Sequence, residues 1–139
     1  MTAAKGQFPR KIDAVREIFQ FLAEFVDGNG IDEKDAFQIN LVVEELFTNL
    51  VRHNEGGGDS IELSIERMDD RVLLELIDTD VEPFDASEAE VPPIDAAIEE
   101  RRPGGLGLHL VRKIVDDLIY DYEIEGRRMR VSVTKPLEN

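Results

Sequence analysis

The sequence predicts an α+β protein, a two-layer sandwich in which helices cover one face of a mostly antiparallel mixed sheet. Apolar residues recur at helical spacing in three segments, and they alternate with polar residues in two pairs of shorter segments. Turn-forming residues separate these segments. A chain of 139 residues suits one domain, spanning residues 1 to 139, with enough length to bury a core.

Two amphipathic helices are predicted at the start of this order. The first covers residues 13 to 27, and the glycines on either side of Asn29 end it. Its apolar face consists of Val15, Ile18, Phe19, Leu22, Phe25 and Val26. Asp32 is the predicted N-cap of the second helix, which extends to about His53. The apolar set of the second helix is Phe37, Leu41, Leu46, Phe47 and Leu50.

A β-hairpin is predicted next, with its turn at residues 68 to 71. Its apolar positions alternate with polar ones and are Ile61, Leu63, Ile65, Val72, Leu74 and Leu76. The connection from residue 79 to 103 contains several prolines and is predicted to be irregular, with room for a short helix near residues 94 to 98. A loop this long in a small domain is usually functional or disordered.

A third helix and a second hairpin complete the predicted order. The helix opens at Gly104, and its apolar face is Leu108, Val111, Val115 and Leu118. The hairpin turns at residues 125 to 127. Its alternating positions are Tyr120, Tyr122, Ile124, Met129, Val131 and Val133.

Composition and charge exclude several classes of function. The chain has no cysteine and two histidines, so thiol chemistry and cysteine zinc sites are excluded and an oxygen-rich metal site such as one for magnesium is left. The net charge of −15 disfavours direct binding to nucleic acid and favours a basic protein partner. No segment has the length and apolarity of a signal peptide or membrane span. We therefore expect a cytoplasmic protein.

An acid and a carboxamide lie four residues apart in the second predicted helix. Glu45, Asn49 and His53 fall on one face, because an α-helix has about 3.6 residues per turn. Asn is a poor helix former without apolar surface, so its place within an apolar pattern indicates a specific role. The alternative is a structural Asn bonded to a neighbouring carbonyl, or a solvated polar pair.

Two further candidate segments follow along the chain. Asp78 ends a predicted strand, where it is either a binding residue or the start of a turn. The glycines from Gly104 to Gly107 open a helix, and such a segment directs backbone N–H groups and the positive end of the helix dipole toward one point. The same glycines are equally compatible with a tight turn. Neither a Walker A loop nor a dinucleotide fingerprint is present.

Taken together, these segments resemble a known family. Residues 45 to 53, 77 to 85 and 104 to 111 resemble the N, G1 and G2 boxes of the histidine-kinase-like (GHKL, Bergerat-fold) ATPases. Within this family the chain is most similar to the stand-alone anti-sigma factor serine-protein kinases of bacterial partner-switching systems. The resemblance covers nearly the whole chain and implies the Bergerat ATPase fold.

The resemblance implies a role for each motif residue. Glu45 is expected to be the general base that acts on a substrate serine hydroxyl. Asn49 is expected to be a ligand of Mg²⁺, and Asp78 is expected to accept a hydrogen bond from the adenine amine. ATP and Mg²⁺ are thus the implied cofactors. The implied nucleotide-binding residues are Asn49, Asp78, Thr79, Gly104, Gly105, Leu106, Gly107 and Leu108.

The connection between the second and third boxes corresponds to the ATP lid, at about residues 80 to 103. Arg101 and Arg102 at its end are candidates for phosphate neutralisation or for surface salt bridges. The G1 box normally has glycine two residues after its aspartate, and this chain has Asp80 there. The added carboxylate is expected to crowd and repel the nucleotide.

The resemblance implies an ATP-binding anti-sigma regulatory factor with protein serine kinase activity toward an anti-sigma-factor antagonist. Its expected partners are a sigma factor and that antagonist, and the family allows a homodimer. The alternative is a non-catalytic adaptor of the same fold with weakened or lost nucleotide turnover, which Asp80 favours.

Overall fold

A computed structural model describes residues 3–53, 58–81 and 105–138, which form a two-layer α+β sandwich. The strands are β1 (Ala3–Pro9), β2 (Ser60–Met68), β3 (Arg71–Asp78), β4 (Asp117–Glu123) and β5 (Arg128–Pro136). The helices are α1 (Val15–Gly28), α2 (Glu33–His53) and α3 (Gly105–Ile114), and a short 3-10 helix (Ile12–Ala14) precedes α1. The predicted fold class is therefore confirmed.

One five-stranded sheet has the order β1-β2-β3-β5-β4. Each neighbouring pair of these strands is antiparallel, so within the described ranges the sheet has no parallel pair, whereas a mixed sheet was expected. The β2–β3 and β4–β5 pairs are hairpins, and a direct hairpin return makes its two strands antiparallel, whereas α1 and α2 connect β1 to β2. No helix within the described ranges is both long enough and apolar enough to cross a bilayer.

Strand β1 was not predicted from the sequence. It pairs along its whole length with β2, from Ala3 opposite Glu66 to Pro9 opposite Ser60. Phe8 is its one fully buried residue, so the strand has almost no alternating apolar pattern to reveal it. Pairing with β2, and not local propensity, therefore decides its conformation.

The core lies between one face of the sheet and the helices. The predicted apolar positions of β2 and β3 are all buried there, and so are the central positions of the first helix. These buried residues are Ile18, Leu22, Phe25, Ile61, Leu63, Ile65, Val72, Leu74 and Leu76. Phe8 and Phe21 add an edge-to-face aromatic contact, with ring centroids 5.4 Å apart. The strand periodicity of β2 and β3 and the helical periodicity of α1 thus predicted these core residues correctly.

Helix α2 begins as predicted. The carboxylate of Asp32 accepts a hydrogen bond from the backbone N–H of Asp35 at 2.9 Å, which is the N-cap interaction. Phe37 was placed in the core and is in fact 69% exposed. It lies two residues before the buried Ile39, and at about 100° per residue it points to the opposite side of the helix. Its partner in the predicted stripe, Leu41, is half-buried.

Helix α3 is shorter than the sequence predicted. It ends at Ile114, and Leu118 belongs to β4 and not to the helical face. The backbone N–H of Asp116 donates to the carbonyl of Thr134 at 2.8 Å, so the chain joins the sheet directly after the helix.

The predicted final hairpin is confirmed. The predicted short helix near residues 94 to 98, residues 82 to 103 of the predicted lid, and Gly104 lie outside the described residues.

A buried ion pair joins the first turn of α2 to β5. Lys135 takes the position that follows Met129, Val131 and Val133 on the core side of β5. Its Nζ lies 3.1 Å from Oδ1 of Asp35, and both side chains are almost fully inaccessible to water. The Lys135 ammonium also donates to the carbonyl of Pro136 at 2.8 Å. The pair is therefore embedded in hydrogen bonds, as buried charges require.

We expect Lys135→Met to lower the free energy of unfolding by about 3 to 5 kcal/mol, because it leaves the Asp35 carboxylate buried without its cation. Urea denaturation would measure this loss. Lys34→Met is the matched control, since the Lys34–Glu138 pair at 2.9 Å is exposed. That control should leave the midpoint nearly unchanged. Equal shifts in the two variants would show that the buried pair is no more stabilising than the exposed one.

Candidate functional site

The predicted acid and carboxamide lie one turn apart on α2. Asn49 is only 4% exposed, and Glu45 is half-buried. Leu46, Phe47 and Leu50 on the same helix are fully buried, so this part of α2 is held against the sheet. Apolar packing on one side of the helix thereby fixes where its two polar groups lie.

The first turn of α3 closes against Glu45. A Cβ atom on Gly107 would overlap the Glu45 carboxylate, so only glycine permits this approach. Oε1 of Glu45 is buried and has no hydrogen-bond partner in the part of the chain that the structure describes. An orphaned buried acceptor is unusual in native proteins. The structure therefore brings Glu45 and Gly107 into contact.

The environment of Glu45 alters its acidity. Burial raises the pKa of the Glu45 carboxyl, and the neighbouring charge of Glu44 adds to this effect. The positive charge of Arg52 partly opposes it. A raised pKa makes a carboxylate a better proton acceptor, which is the property a general base needs.

Asp78 is engaged by a residue that sequence reasoning missed. Its Oδ1 accepts a hydrogen bond from Nε of Arg10 at 3.1 Å, and its Oδ2 accepts one from Nη2 at 2.5 Å. The same Nη2 donates to the carbonyl of Leu50 at 3.0 Å. Asp78 is fully buried. Nothing in the local sequence marks Arg10, because its partners lie 40 and 68 residues away.

Backbone hydrogen bonding and backbone conformation define the positions of Thr79 and Asp80, the two residues after Asp78. The N–H of Gly58 donates to the carbonyl of Thr79 at 2.9 Å, which extends the pairing of β2 and β3. Asp80 is exposed and has a φ of 55°, in the left-handed region. Glycine adopts that region freely, and Asp tolerates it better than most residues. The glycine expected at this place thus has a conformational reason, which Asp80 also meets.

Val81 lies at the start of the predicted lid and is the last described residue of the range 58–81. It is buried, its N–H donates to the carbonyl of Arg127 at 3.0 Å, and its carbonyl accepts a hydrogen bond from the hydroxyl of Tyr122 at 2.7 Å. The β4–β5 hairpin therefore anchors the start of the predicted lid. Sequence reasoning assigned Tyr122 only to a strand.

The remaining predicted site residues are located as follows. Gly105 begins α3, Leu106 lies in its first turn, and Leu108 is buried in the core. Gly104, Arg101 and Arg102 lie outside the described residues. The described site thus places the first turn of α3 against the half-buried Glu45 of α2, one turn from the buried Asn49.

Residues 8–135 match the sequence profile of the histidine kinase-like ATPase domain. The chain belongs to this family. The match spans every element from the end of β1 to the end of β5. It includes the segments that carry Glu45, Asn49, Asp78 and Gly107, so the sequence motifs and the family boundaries agree.

This histidine kinase-like ATPase domain is also similar to individual proteins. It is 29% identical over 86 residues to the serine/threonine-protein kinase BtrW of Bordetella bronchiseptica, and the match covers 60% of each chain. It resembles the RsbU and RsbW domains of Rv1364c from Mycobacterium tuberculosis with a TM-score of 0.69 and 17% identity, covering 99% of this chain and 33% of that one.

A third similar structure is the SiaB–SiaC complex of Pseudomonas aeruginosa. Its TM-score is 0.59 at 17% identity, over 95% of this chain and 88% of that one. At such identities the two structures support the fold and not a shared activity. They place the ATPase domain in the same sandwich architecture.

The residues of the ATPase domain fit a magnesium ion bound together with a nucleotide. The described residues hold no cluster of three or more His, Cys, Asp or Glu side chains, so they form no all-protein metal cage. Magnesium sites for nucleotides instead use one or two protein ligands with phosphate and water oxygens. Asn49 would be the protein ligand, and the unpartnered oxygen of Glu45 leaves an acceptor beside it.

We expect Gly107→Ala to displace the Glu45 carboxylate and so to impair whatever the site binds. The added Cβ would occupy the space of the carboxylate, whose flexible side chain moves more readily than the helix. Gly28→Ala is the matched control, because a Cβ there meets nothing within 4 Å. Nucleotide titrations of both variants would test this. Unchanged affinity in both would show that the position of Glu45 is irrelevant to binding.

We expect Glu45→Gln to stabilise the protein at neutral pH. Because folding raises the pKa of Glu45, its favourable contribution is complete below the pKa of unfolded Glu and is lost as the pH rises through the folded value. The gain at pH 7 should be about 2 °C in Tm, small because the group is partly solvated, and it should shrink toward pH 4. Thermal melts at both pH values would measure it. A gain independent of pH would indicate packing and not charge.

Proposed function

We propose that this chain is an ATP-binding anti-sigma regulatory factor with protein serine kinase activity toward an anti-sigma-factor antagonist. The observation that carries the proposal is the half-buried Glu45, whose Oε1 is buried without a hydrogen-bond partner among the described residues, one turn from Asn49 and against the first turn of α3. Membership of the histidine kinase-like ATPase domain family supports the nucleotide, and the similarity to a serine/threonine-protein kinase supports the phosphotransfer.

In the proposed reaction, Glu45 takes the proton of a substrate serine hydroxyl. The serine oxygen forms a bond to the γ-phosphorus of ATP while the bond to the β-γ bridging oxygen breaks, and ADP leaves. Mg²⁺, when bound, neutralises the charge on the phosphates. The raised pKa of Glu45 suits this proton transfer, because it reduces the difference in pKa between the Glu45 carboxyl and the serine hydroxyl.

Asn49 and α3 have binding roles in the same proposal. Asn49 offers a preorganised amide oxygen for the metal, since packing around α2 holds it in place. The N-terminus of α3 presents backbone N–H groups and the positive end of a helix dipole to the phosphates. Gly107 keeps this approach free of side-chain atoms.

The proposed partners are a sigma factor and the antagonist that carries the serine. The net charge of −15 suits a basic partner surface and opposes direct contact with nucleic acid. The SiaB–SiaC complex contains a chain of the same fold. A homodimer in the cytoplasm is part of the proposal.

A second candidate function is a non-catalytic adaptor that keeps the partner surface without turning over ATP. Two observations favour it. Arg10 holds both oxygens of Asp78, and Asp80, two residues later in the chain, adds an exposed negative charge. Both features oppose nucleotide affinity without affecting a protein-binding surface.

Binding and chemistry are tested separately. Mg-ATP at about a hundred times its Kd should stabilise the fold by about 2.7 kcal/mol, a rise of several degrees in Tm. Asn49→Ala should weaken this magnesium-dependent shift. Glu45→Gln should keep the shift but slow phosphate transfer to the cognate antagonist by about two to four orders of magnitude.

Thermal melts with and without Mg-ATP and assays with radiolabelled ATP provide both readouts. Gly28→Ala is again the control, because it alters a helix end without contacts to the site. No thermal shift at millimolar Mg-ATP would reject the kinase and favour the adaptor. A normal transfer rate in Glu45→Gln would remove Glu45 as the base while leaving ATP binding intact.

A further inference from the structure

A cleft lies beside the last turn of α2, where the 3-10 helix begins. Its volume is about 520 Å³, within the range of about 300 to 1,000 Å³ that is usual for ligand sites. Lys11 and Ile12 line it at the start of the 3-10 helix, Val51 and Arg52 at the end of α2, and Asp59 just before β2. Segments that are distant in sequence therefore meet at this cleft.

Two of the cations that line the cleft have no acidic partner. The guanidinium of Arg10, which also lines it, is paired with Asp78. Within the described ranges neither Lys11 nor Arg52 forms a salt bridge, although at least seven other basic residues of those ranges do. The chain has 31 acidic and 16 basic residues, so acids to pair with are abundant. Two unpaired cations at one cleft therefore favour an anionic ligand.

The rest of the lining indicates which kind of anion fits. Ile12 is 44% exposed and Val51 is half-buried, so the cleft offers apolar surface beside its two unpaired cations. A small inorganic anion does not use that surface, whereas a peptide segment with a carboxylate next to an apolar side chain contacts both features. Asp59 contributes a like charge that weakens the binding of any anion.

Arg52 connects the cleft to the candidate site. It follows Asn49 by three residues and Glu45 by seven, so the three side chains lie on the same side of α2. The positive charge of Arg52 also acts to lower the pKa of the Glu45 carboxyl. Seven residues of α-helix extend about 10 Å, and an extended peptide covers that distance with about three residues. A carboxylate bound at Arg52 would therefore lie about three or more residues from a serine at Glu45.

We propose that this cleft is a docking site for an acidic side chain of the protein substrate, with Lys11 and Arg52 as its specificity-determining residues. The inference rests on the proposed kinase function and refines it, because it names the substrate class. That class is an extended segment in which an apolar and an acidic residue lie a few positions from the serine. The net charge of −15 repels acidic proteins as a whole, so the partner combines a basic surface with this one acidic residue.

NMR titration of isotopically labelled protein with two blocked pentapeptides tests the inference in the unmodified chain. The acidic peptide contains serine, alanine, alanine, leucine and glutamate in that order, and the neutral peptide has glutamine in place of glutamate. We expect the acidic peptide to shift the amide signals of Lys11, Ile12 and Arg52 and to bind about three- to tenfold more tightly, since the neutral peptide loses two exposed ion pairs. Equal affinities, or shifts confined to other residues, would overturn the inference.

Lys11→Gln and Asp59→Asn change the charge of the cleft in opposite directions. Lys11→Gln should weaken binding of the acidic peptide about two- to fivefold, and Asp59→Asn should strengthen it by a similar factor. Neither change should alter binding of the neutral peptide. Lys11→Arg, which keeps the charge, should bind like the parent. All these side chains are exposed, so the fold tolerates the changes.

Lys113→Gln is the matched control for charge. It removes the same charge from an exposed residue of α3 that does not line the cleft, so it should leave the affinity of the acidic peptide nearly unchanged. A loss equal to that of Lys11→Gln would attribute the preference to net charge and overturn the role of the cleft.

Titration with Mg-ATP separates this inference from the proposed function. We expect the acidic peptide to bind with and without Mg-ATP, and Lys11→Gln to leave the Kd of ATP unchanged. Displacement of the peptide by Mg-ATP would assign the cleft to the nucleotide and overturn the inference. A Mg-ATP response without peptide binding would overturn the inference alone. Peptide binding without a Mg-ATP response would reject the kinase and support a docking cleft that the adaptor uses.

Discussion

Helix α2 is tied to the sheet at both ends by buried charge, and the position of the candidate site depends on this. At its first turn the carboxylate of Asp35 pairs with Lys135 of β5. At its last turn the carbonyl of Leu50 accepts a hydrogen bond from Arg10, which also binds Asp78 at the end of β3. An acid at the start and a base at the end of a helix both match its dipole.

Hydrogen bonds and ion pairs are directional, so they define the position of α2 along its axis more closely than apolar packing alone does. The buried face of α2 resists rotation, but a row of similar apolar side chains defines position along the helix axis less sharply. Ion pairs buried in the core are costly to remove singly, so each one holds a narrow geometry. Glu45 and Asn49 lie between the two anchors. Their position relative to the first turn of α3 therefore depends on contacts at the two ends of α2.

The burial of Glu45 at the site lowers the stability of the folded protein. Burial raises the pKa of Glu45, and its Oε1 has no hydrogen bond within the described ranges. Removing the charge should stabilise the protein, which is the usual relation between stability and a functional carboxylate. Gly107 makes the arrangement possible by leaving room for the carboxylate. Helix α3 and Glu45 thus form one unit, although 62 positions separate residues 45 and 107 in the chain.

The sequence by itself determined the helical and strand faces, the N-cap at Asp32, the two hairpins and the shared helical face of Glu45 and Asn49. These follow from short-range periodicity and from motifs whose spacing is local. Only the tertiary structure decided β1, the exposure of Phe37, the end of α3 and the pairing of Arg10 with Asp78. Each of those depends on contacts between residues distant in sequence, and neither local propensity nor residue type records such contacts.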